Sequence, residues 1–378
     1  MPSSYQITWK GPVKPASGIG IAGREYVRAL RRLGVRVTVG GKGNPITGKS
    51  PNRRRVLVYH YSPGTLNVRK ERKHFETIIV NTVWETTRIP RRWVGPVNAA
   101  DAVCVPSSHN QRALRNSGVR IPIYVVPHGV HAGVFRPAKK AWPSKASKTK
   151  FTFVSVFGFQ HRKNPEALLR AYWEEFSDAD NVRLIIKTNG YAPYENRGWI
   201  LSRIRAYKAR LGLRKRTAPV RIVTGRLSTG AMRHLYAKGH AFVLPTRGEG
   251  VGLPFLEAMA AGLPVIATGW GGHMDFLNKG NAFLVGYRLQ PPAMSMHRAI
   301  SRPFRHLFAE SGQLWAEADI GSLRRQMRLA YRNPRLCRRK GMRARRDALR
   351  QSWKRAGLLM KKAVETTIRM RKKGRTHL

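Results

Sequence analysis

The stretch Leu244-Pro245-Thr246-Arg247-Gly248-Glu249-Gly250-Val251-Gly252-Leu253-Pro254-Phe255-Leu256-Glu257-Ala258-Met259-Ala260-Ala261-Gly262-Leu263-Pro264 passes from strand to glycine loop to short helix. Pro254 suits the first helical turn, where its missing N–H costs nothing; Gly262 suits the C-cap and Pro264 forbids continuation. The helix start presents the backbone N–H groups of Gly250, Val251, Gly252 and Leu253, a place for a diphosphate or the oxygens of a sugar. Glu249 in the loop and Glu257 on the helix put two carboxylates about one pocket. The competing reading is a helix-start acid favoured by the dipole and a solvated helix face. A chain with 72 Lys+Arg and only 19 Asp+Glu argues against so idle a use of two acids.

Outward from this stretch, apolar runs of strand length alternate with helix-like periodic runs, the pattern of α/β domains with mainly parallel sheets. Strands are expected at 5–9, 35–39, 55–59, 77–80, 102–105 and 123–126, and in a second series at 151–157, 182–186, 220–223, 241–244 and 264–267. A helix is expected over 23–33, with Tyr26, Val27 and Leu30 on one face and Gly34 ending it. The polar Lys/Ser-rich segment before Phe151 reads as a linker. The expected organisation is a first domain over 1–138, a linker over 139–150, a second domain over 151–345 and a basic helical segment over 346–378.

Gly18-Ile19-Gly20-Ile21-Ala22-Gly23 is a literal GxGxxG, but a dinucleotide site also wants an acid about 20 residues later, on the ribose. Here the second strand runs into Val39-Gly40-Gly41-Lys42, with no acid in reach. A nicotinamide or flavin site is therefore not expected. What survives is a glycine-rich turn whose N–H groups approach a phosphate or sugar, or glycines that only make the turn.

The formal net charge of +53 is the strongest compositional fact. A charge that large repels itself unless a polyanion compensates it, so nucleic acid and anionic membrane surfaces are the obvious partners; the bland account is Arg used at any surface position. The two cysteines, Cys104 and Cys337, form neither a disulfide framework nor a zinc motif. No signal pattern and no stretch of ~18 apolar residues is present, so a soluble, cytoplasmic protein is expected.

The span Glu249 to Glu257 resembles the E-x7-E signature of retaining, nucleotide-sugar-dependent glycosyltransferases of the GT-B fold, the group 1 or family 4 type. Phe157-Gly158-Phe159-Gln160-His161-Arg162-Lys163-Asn164-Pro165, Pro127-His128-Gly129-Val130 and Gly269-Trp270-Gly271-Gly272-His273-Met274-Asp275-Phe276 are similar to that family's donor loop, hinge and following glycine turn. Trp84-Glu85-Thr86-Thr87-Arg88-Ile89-Pro90 and Val105-Pro106-Ser107-Ser108-His109-Asn110 resemble a branch of it, and the likeness extends from Tyr5 to Tyr331. The resemblance implies two Rossmann-like α/β/α domains facing each other across a cleft, with the last helical residues returning to the first domain. It implies a UDP- or GDP-type sugar donor and no metal. Glu257 would hold the donor's ribose, Glu249 the transferred sugar, Arg162 and Lys163 the diphosphate, and Gly18 and Gly20 would approach the phosphates from the other domain.

On the acceptor side, Glu85 and His60 follow expected strands and are the candidates to orient or deprotonate the acceptor hydroxyl; each is equally readable as an ordinary strand-end residue. The acceptor favoured by the charge is DNA, with a hydroxymethylated pyrimidine receiving a hexose, held by Arg53, Arg54, Arg55, Arg69, Lys70, Arg72, Lys73, Arg88, Arg91 and Arg92. The alternatives are a lipid-linked or surface polysaccharide acceptor at an anionic membrane, and a non-catalytic nucleic-acid-binding protein.

Overall fold

In a computed structural model the described residues are 4–14, 17–41, 53–138, 142 and 149–375. Most of the expected linker, 139–150, lies outside them. The chain divides into two compact units, one of residues 1–129 with 351–378 and one of residues 130–350.

The first unit runs β1 (Tyr5–Lys10), α1 (Gly18–Arg32), β2 (Arg36–Gly40), β3 (Arg54–Tyr59), α2 (Val68–Arg72), β4 (Thr77–Asn81), α3 (Arg91–Asn98), β5 (Ala102–Val105), α4 (Ser108–Asn116) and β6 (Ile123–Val125). Among the described residues these strands form one parallel sheet in the order β2-β1-β3-β4-β5-β6. The direction of winding reverses between β1 and β3, which makes the carboxyl ends of those strands the natural place for a ligand.

Helix α1 starts five residues earlier than its apolar periodicity suggests. Ser17 caps it by accepting from Gly20 N at 3.2 Å, so Gly18 and Gly20 lie in the first turn and not in a loop before it. The Gly20 N–H that was to meet a phosphate is thereby spent. Gly23 serves close packing, since a Cβ there would stand 2.4 Å from the Pro12 carbonyl oxygen.

The second unit runs β7 (Phe151–Gly158), α5 (Pro165–Glu175), β8 (Val182–Asn189), α6 (Arg197–Arg210), β9 (Val220–Val223), α7 (Thr229–Ala237), β10 (Ala241–Leu244), α8 (Leu253–Ala260), β11 (Val265–Thr268), β12 (Ala282–Val285), β13 (Tyr287–Gln290), α9 (Ala293–Met296), β14 (Trp315–Ala318), α10 (Ile320–Arg332) and α11 (Pro334–Leu349). Its parallel sheet has the order β12-β11-β10-β7-β8-β9, the doubly wound dinucleotide-binding order, with the switch point between β7 and β10. Strands β13 and β14 form a separate antiparallel pair. The core strands are apolar on both faces, as a sheet covered by helices on each side requires.

Residues 130–138, expected in the first domain, belong to the second unit. Val130 and Phe135 are buried in its core, and Arg345 donates to the carbonyls of Ala132 and Phe135 at 2.7 and 2.9 Å. The division at the other end falls at 350/351, because Ala348 is also part of that core. The final helix, α12 (Trp353–Arg375), packs on α1 of the first unit, with Tyr26 and Trp353 edge to face at 5.6 Å and Arg371 paired with Asp101 at 2.5 Å. No helix among the described residues is long and apolar enough to cross a membrane.

Two glycines set helix spacings. A Cβ on Gly357 would stand 2.6 Å from Ala29 Cβ on α1, and one on Gly341 of α11 would stand 2.2 Å from the Gly262 carbonyl oxygen at the end of α8. Gly341→Ala therefore forces α11 away from α8 and is expected to cost about 1–3 kcal/mol, as overpacking does. Thermal melting of the variant checks this, and an unchanged transition would show that the contact yields without cost.

Candidate functional site

Two loops leave the carboxyl ends of β7 and β10 at the switch point of the second unit. The first is the turn 159–164, whose last residue, Asn164, takes a left-handed conformation at φ 57 and caps α5 by accepting from Ala167 N at 3.1 Å. The second is the loop 245–252, which ends at Gly252 with φ 84. A side chain at Gly252 would collide with Phe255, so the strained turn and its close packing both require glycine. No side chain caps α8, which leaves its helix start to backbone groups.

Backbone bonds tie these loops together. Arg247 N donates to the Arg162 carbonyl at 2.8 Å, and Gly272 N, from the turn after β11, donates to the Glu249 carbonyl at 2.7 Å. Glu249 is buried; its carboxylate accepts from Lys163 Nζ and lies 3.3 Å from Arg162 Nη1. Burial pushes the carboxyl up, but the two cations outweigh it and hold its pKa below the ordinary value. Arg162 also donates to the Gly248 carbonyl. The structure thus brings Glu249, Arg162 and Lys163 into one cluster, where Glu249 partly neutralises the cations expected to meet a diphosphate.

Glu257 faces a different partner. It accepts from the buried Tyr236 hydroxyl of α7 at 2.8 Å, and burial pushes its carboxyl up to about 7. Glu249 and Glu257 therefore differ in charge near neutral pH, one held ionised by cations and the other poised between its two forms.

Behind the loops lies a network that sequence reasoning missed. The buried Arg247 guanidinium contacts the carboxylate of Glu166 at 3.3 Å and that of Glu317 at 2.7 Å, and donates to the His161 carbonyl at 2.5 Å. Glu166 also accepts from Ile300 N at 2.9 Å and pairs with His161 Nδ1 at 3.0 Å. Burial works against its charge, but these partners hold its carboxyl down at about 2. Asn164 and Gln290 donate to Glu317 at 3.1 Å each. The local signal for Glu166 is only that of a helix start, and Glu317 is 70 residues from Arg247, so no spacing rule announces the pair.

In the first unit, His60 and Glu85 both follow carboxyl ends of strands. His60 is buried; its Nε2 lies 3.1 Å from the Ile19 carbonyl, and its Nδ1 lies 3.1 Å from both the backbone carbonyl and the side-chain amide nitrogen of Asn81. Burial lowers its pKa, so the ring is neutral. Both ring nitrogens lie within hydrogen-bond distance of protein groups from other elements, the arrangement of a structural histidine. Glu85 is half-buried in the loop anchored by Trp84, whose N–H donates to Asn110 Oδ1 at 2.7 Å. That bond joins the two segments that resemble the family branch.

The basic residues expected to track DNA divide between opposite ends of the first sheet. Arg53, Arg54 and Arg55 are half-buried at the amino end of β3, far from the carboxyl ends where a ligand would sit. Arg72 is an internal brace, forked onto Asp101 at 2.6 and 2.7 Å. Arg69, Lys70 and Lys73 are exposed on and just after α2; Arg88, Arg91 and Arg92 are exposed beyond the carboxyl end of β4.

With this geometry in hand, the comparisons with known proteins are specific. Residues 148–301 match the family model of the group 1 glycosyl transferases. That segment belongs to the family. Among curated proteins, the alpha-monoglucosyldiacylglycerol synthase of Streptococcus pneumoniae is 26% identical over 183 residues, 46% of this chain and 39% of that protein. The sulfoquinovosyl transferase of Arabidopsis thaliana is 37% identical over 70 residues, 18% of this chain and 14% of that protein. The matches thus span well under half the length of these relatives. Among solved structures, the sucrose-phosphate synthase of Thermosynechococcus elongatus has a TM-score of 0.70 at 17% identity, over 97% of this chain and 100% of that one. Anabaena HepE, solved with UDP and glucose, has a TM-score of 0.66 at 13% identity, over 96% of this chain and 100% of that one. At such identities the likeness shows the fold: the GT-B architecture of two Rossmann-like units.

Two predictions follow from the second unit. Arg247→Met leaves buried Glu166 and half-buried Glu317 without their shared cation and is expected to cost about 3–5 kcal/mol, read as a lowered melting transition. Glu257 carries a folded-state pKa raised from 4.5 to about 7, so its contribution to stability is fully present below pH 4.5 and is lost as pH rises to about 7. Glu257→Gln keeps the acceptor for Tyr236 and removes the charge. It is expected to match the wild type at pH 4.5 and to exceed it by about 2–3 kcal/mol at pH 8. Denaturation across pH tests this; parallel curves would show that Glu257 is not strained by ionisation.

Proposed function

We propose that this chain is a retaining glycosyltransferase that moves a hexose from a nucleotide sugar to a hydroxyl acceptor, with the donor held by the second unit. The observation that carries the reading is the buried cluster of Glu249, Lys163 and Arg162 beside the uncapped start of α8, at the switch point of a dinucleotide-binding sheet. In the reaction the bond from the anomeric carbon to the diphosphate oxygen breaks and the acceptor oxygen bonds to that carbon on the same face. The departing diphosphate gains negative charge, which Lys163 and Arg162 stabilise, while Glu249 orients the sugar and Glu257 the ribose. A UDP-type donor is supported by HepE, a fold neighbour solved with UDP and glucose. No metal is called for by this donor set, because the two cations supply the charge.

A lipid or glycan hydroxyl is the acceptor that the names of the curated relatives favour, since one is a monoglucosyldiacylglycerol synthase and another a sulfoquinovosyl transferase. Glu85, in the loop after β4, is the residue assigned here to orient that hydroxyl. A second reading, a hydroxymethylated pyrimidine in DNA, is favoured by the net charge of +53 and by exposed Arg88, Arg91 and Arg92 beyond the carboxyl end of β4. A purely nucleic-acid-binding role leaves the Glu249 cluster without a use.

The test is transfer. The protein is incubated with a panel of nucleotide sugars and, separately, with lipid vesicles, glycans and hydroxymethylated DNA, and products are read by mass. One donor and one acceptor class are expected to give product. Glu249→Ala and Glu257→Ala are each expected to lower that rate by at least ~100-fold while the circular dichroism stays native. Near wild-type transfer by either variant would overturn the site, and product on DNA alone would replace the lipid or glycan acceptor.

A further inference from the structure

The second unit carries a second feature with the chemistry of a binding site, at the opposite end of its sheet from the donor loops. A cavity of about 230 Å³ is lined by Lys150, Arg183, Arg221, Lys238, His240 and Ile185, together with two small residues. Four of its lining residues, Lys150, Arg183, Arg221 and Lys238, are cations exposed to solvent, and no carboxylate is among its described lining residues. Lys150 directly precedes β7, Arg183 and Arg221 are the second residues of β8 and β9, and His240 directly precedes β10, so the cavity lies at the amino ends of the strands. Strand β8 is eight residues long, which separates the cavity from the donor loops by about 20 Å.

Hydrogen bonds to a residue beneath the pocket fix part of its wall. Thr152, fully buried, accepts from Arg183 Nε at 2.9 Å and donates its hydroxyl to the Lys150 carbonyl at 3.2 Å. Its N–H donates to His240 Nδ1 at 2.9 Å, and its carbonyl accepts from His240 N at 2.7 Å. Because Nδ1 accepts, the proton of the His240 ring sits on Nε2. One buried threonine thus fixes a guanidinium, the strand start that carries an ammonium group, and an imidazole around one space. Like charges gathered there repel one another, and an anion relieves the repulsion while accepting their N–H groups.

We propose that this cavity binds the diphosphate or phosphomonoester group of a small soluble molecule, as an anion site separate from the donor loops. The space is smaller than the ~300 Å³ at which pockets for drug-sized ligands begin, and it suits a phosphate group with its oxygens turned to the cations.

The experiment is calorimetric titration with inorganic diphosphate in 0.15 M salt, where a Debye length of about 8 Å screens the diffuse field of the chain. The wild type is compared with Lys163→Met, which weakens any uptake by the donor loops, and with an Arg183→Ser/Arg221→Ser double variant. One binding event is expected to persist in Lys163→Met and to weaken at least ~10-fold in the double variant, as loss of charged hydrogen bonds implies. Lys238→Ser, a single exposed change, is expected to weaken it in the same direction should the double variant melt early. Affinity unchanged in these cavity variants overturns the proposal. So does uptake in the wild type that never saturates, the signature of an adventitious ion only.

Discussion

The arrangement of the second unit depends on the Arg247 guanidinium, buried between two carboxylates. One of them, Glu166, stands at the start of α5, and the other, Glu317, lies on β14. Arg247 itself belongs to the loop after β10, so a single planar cation joins three parts of the chain that are distant in sequence. Its fork geometry suits this work, since each edge can present parallel N–H donors to a different acceptor. The loop that carries Glu249 and the turn that carries Lys163 are held in place as a result, through the Arg247 N–H to the Arg162 carbonyl. Such a buried assembly is weak evidence for high stability, because desolvation offsets most of the attraction; what it supplies is a single allowed geometry.

The scarcity of acids gives the electrostatics their character. With 19 Asp+Glu against 72 Lys+Arg, carboxylates are used as connectors. Asp101 receives both Arg72 and Arg371, and Glu175 receives Arg324 and Arg328. Glu257 is used otherwise: it accepts from a tyrosine hydroxyl, and burial raises its pKa to about 7. A group near its midpoint at neutral pH offers an acceptor whose strength changes with small shifts in its surroundings.

The sequence made the second unit readable because its punctuation is local. Gly252 and Gly262 both take positive φ, at 84 and 75, where the glycine loop and the helix end were expected, and Pro254 sits in the first turn of α8. Helix α1 was less readable: Gly18 and Gly20 weaken the helical pattern, and the Ser17 cap that rescues it is a single hydrogen bond. His60 looked available because only its strand was visible; Asn81 and the Ile19 carbonyl, which occupy its ring, come from other elements. Arg247 and its two acids are the extreme case, a relation among residues that no period or spacing connects. Local chemistry reaches the sequence directly, and contacts across the fold do not.

The return of α12 to the first unit has a consequence for synthesis. Its face against α1 is lined by Gly357, Trp353 and their neighbours, so α1 keeps an uncovered apolar surface until residues 353–375 have been made. Residues 130–350, which form the other unit, are complete before that point. At 5–20 residues per second they occupy the ribosome for roughly 10–45 s. The half of the chain that begins first is therefore finished last, and for that interval it offers an open helix face to whatever chaperone or aggregate meets it.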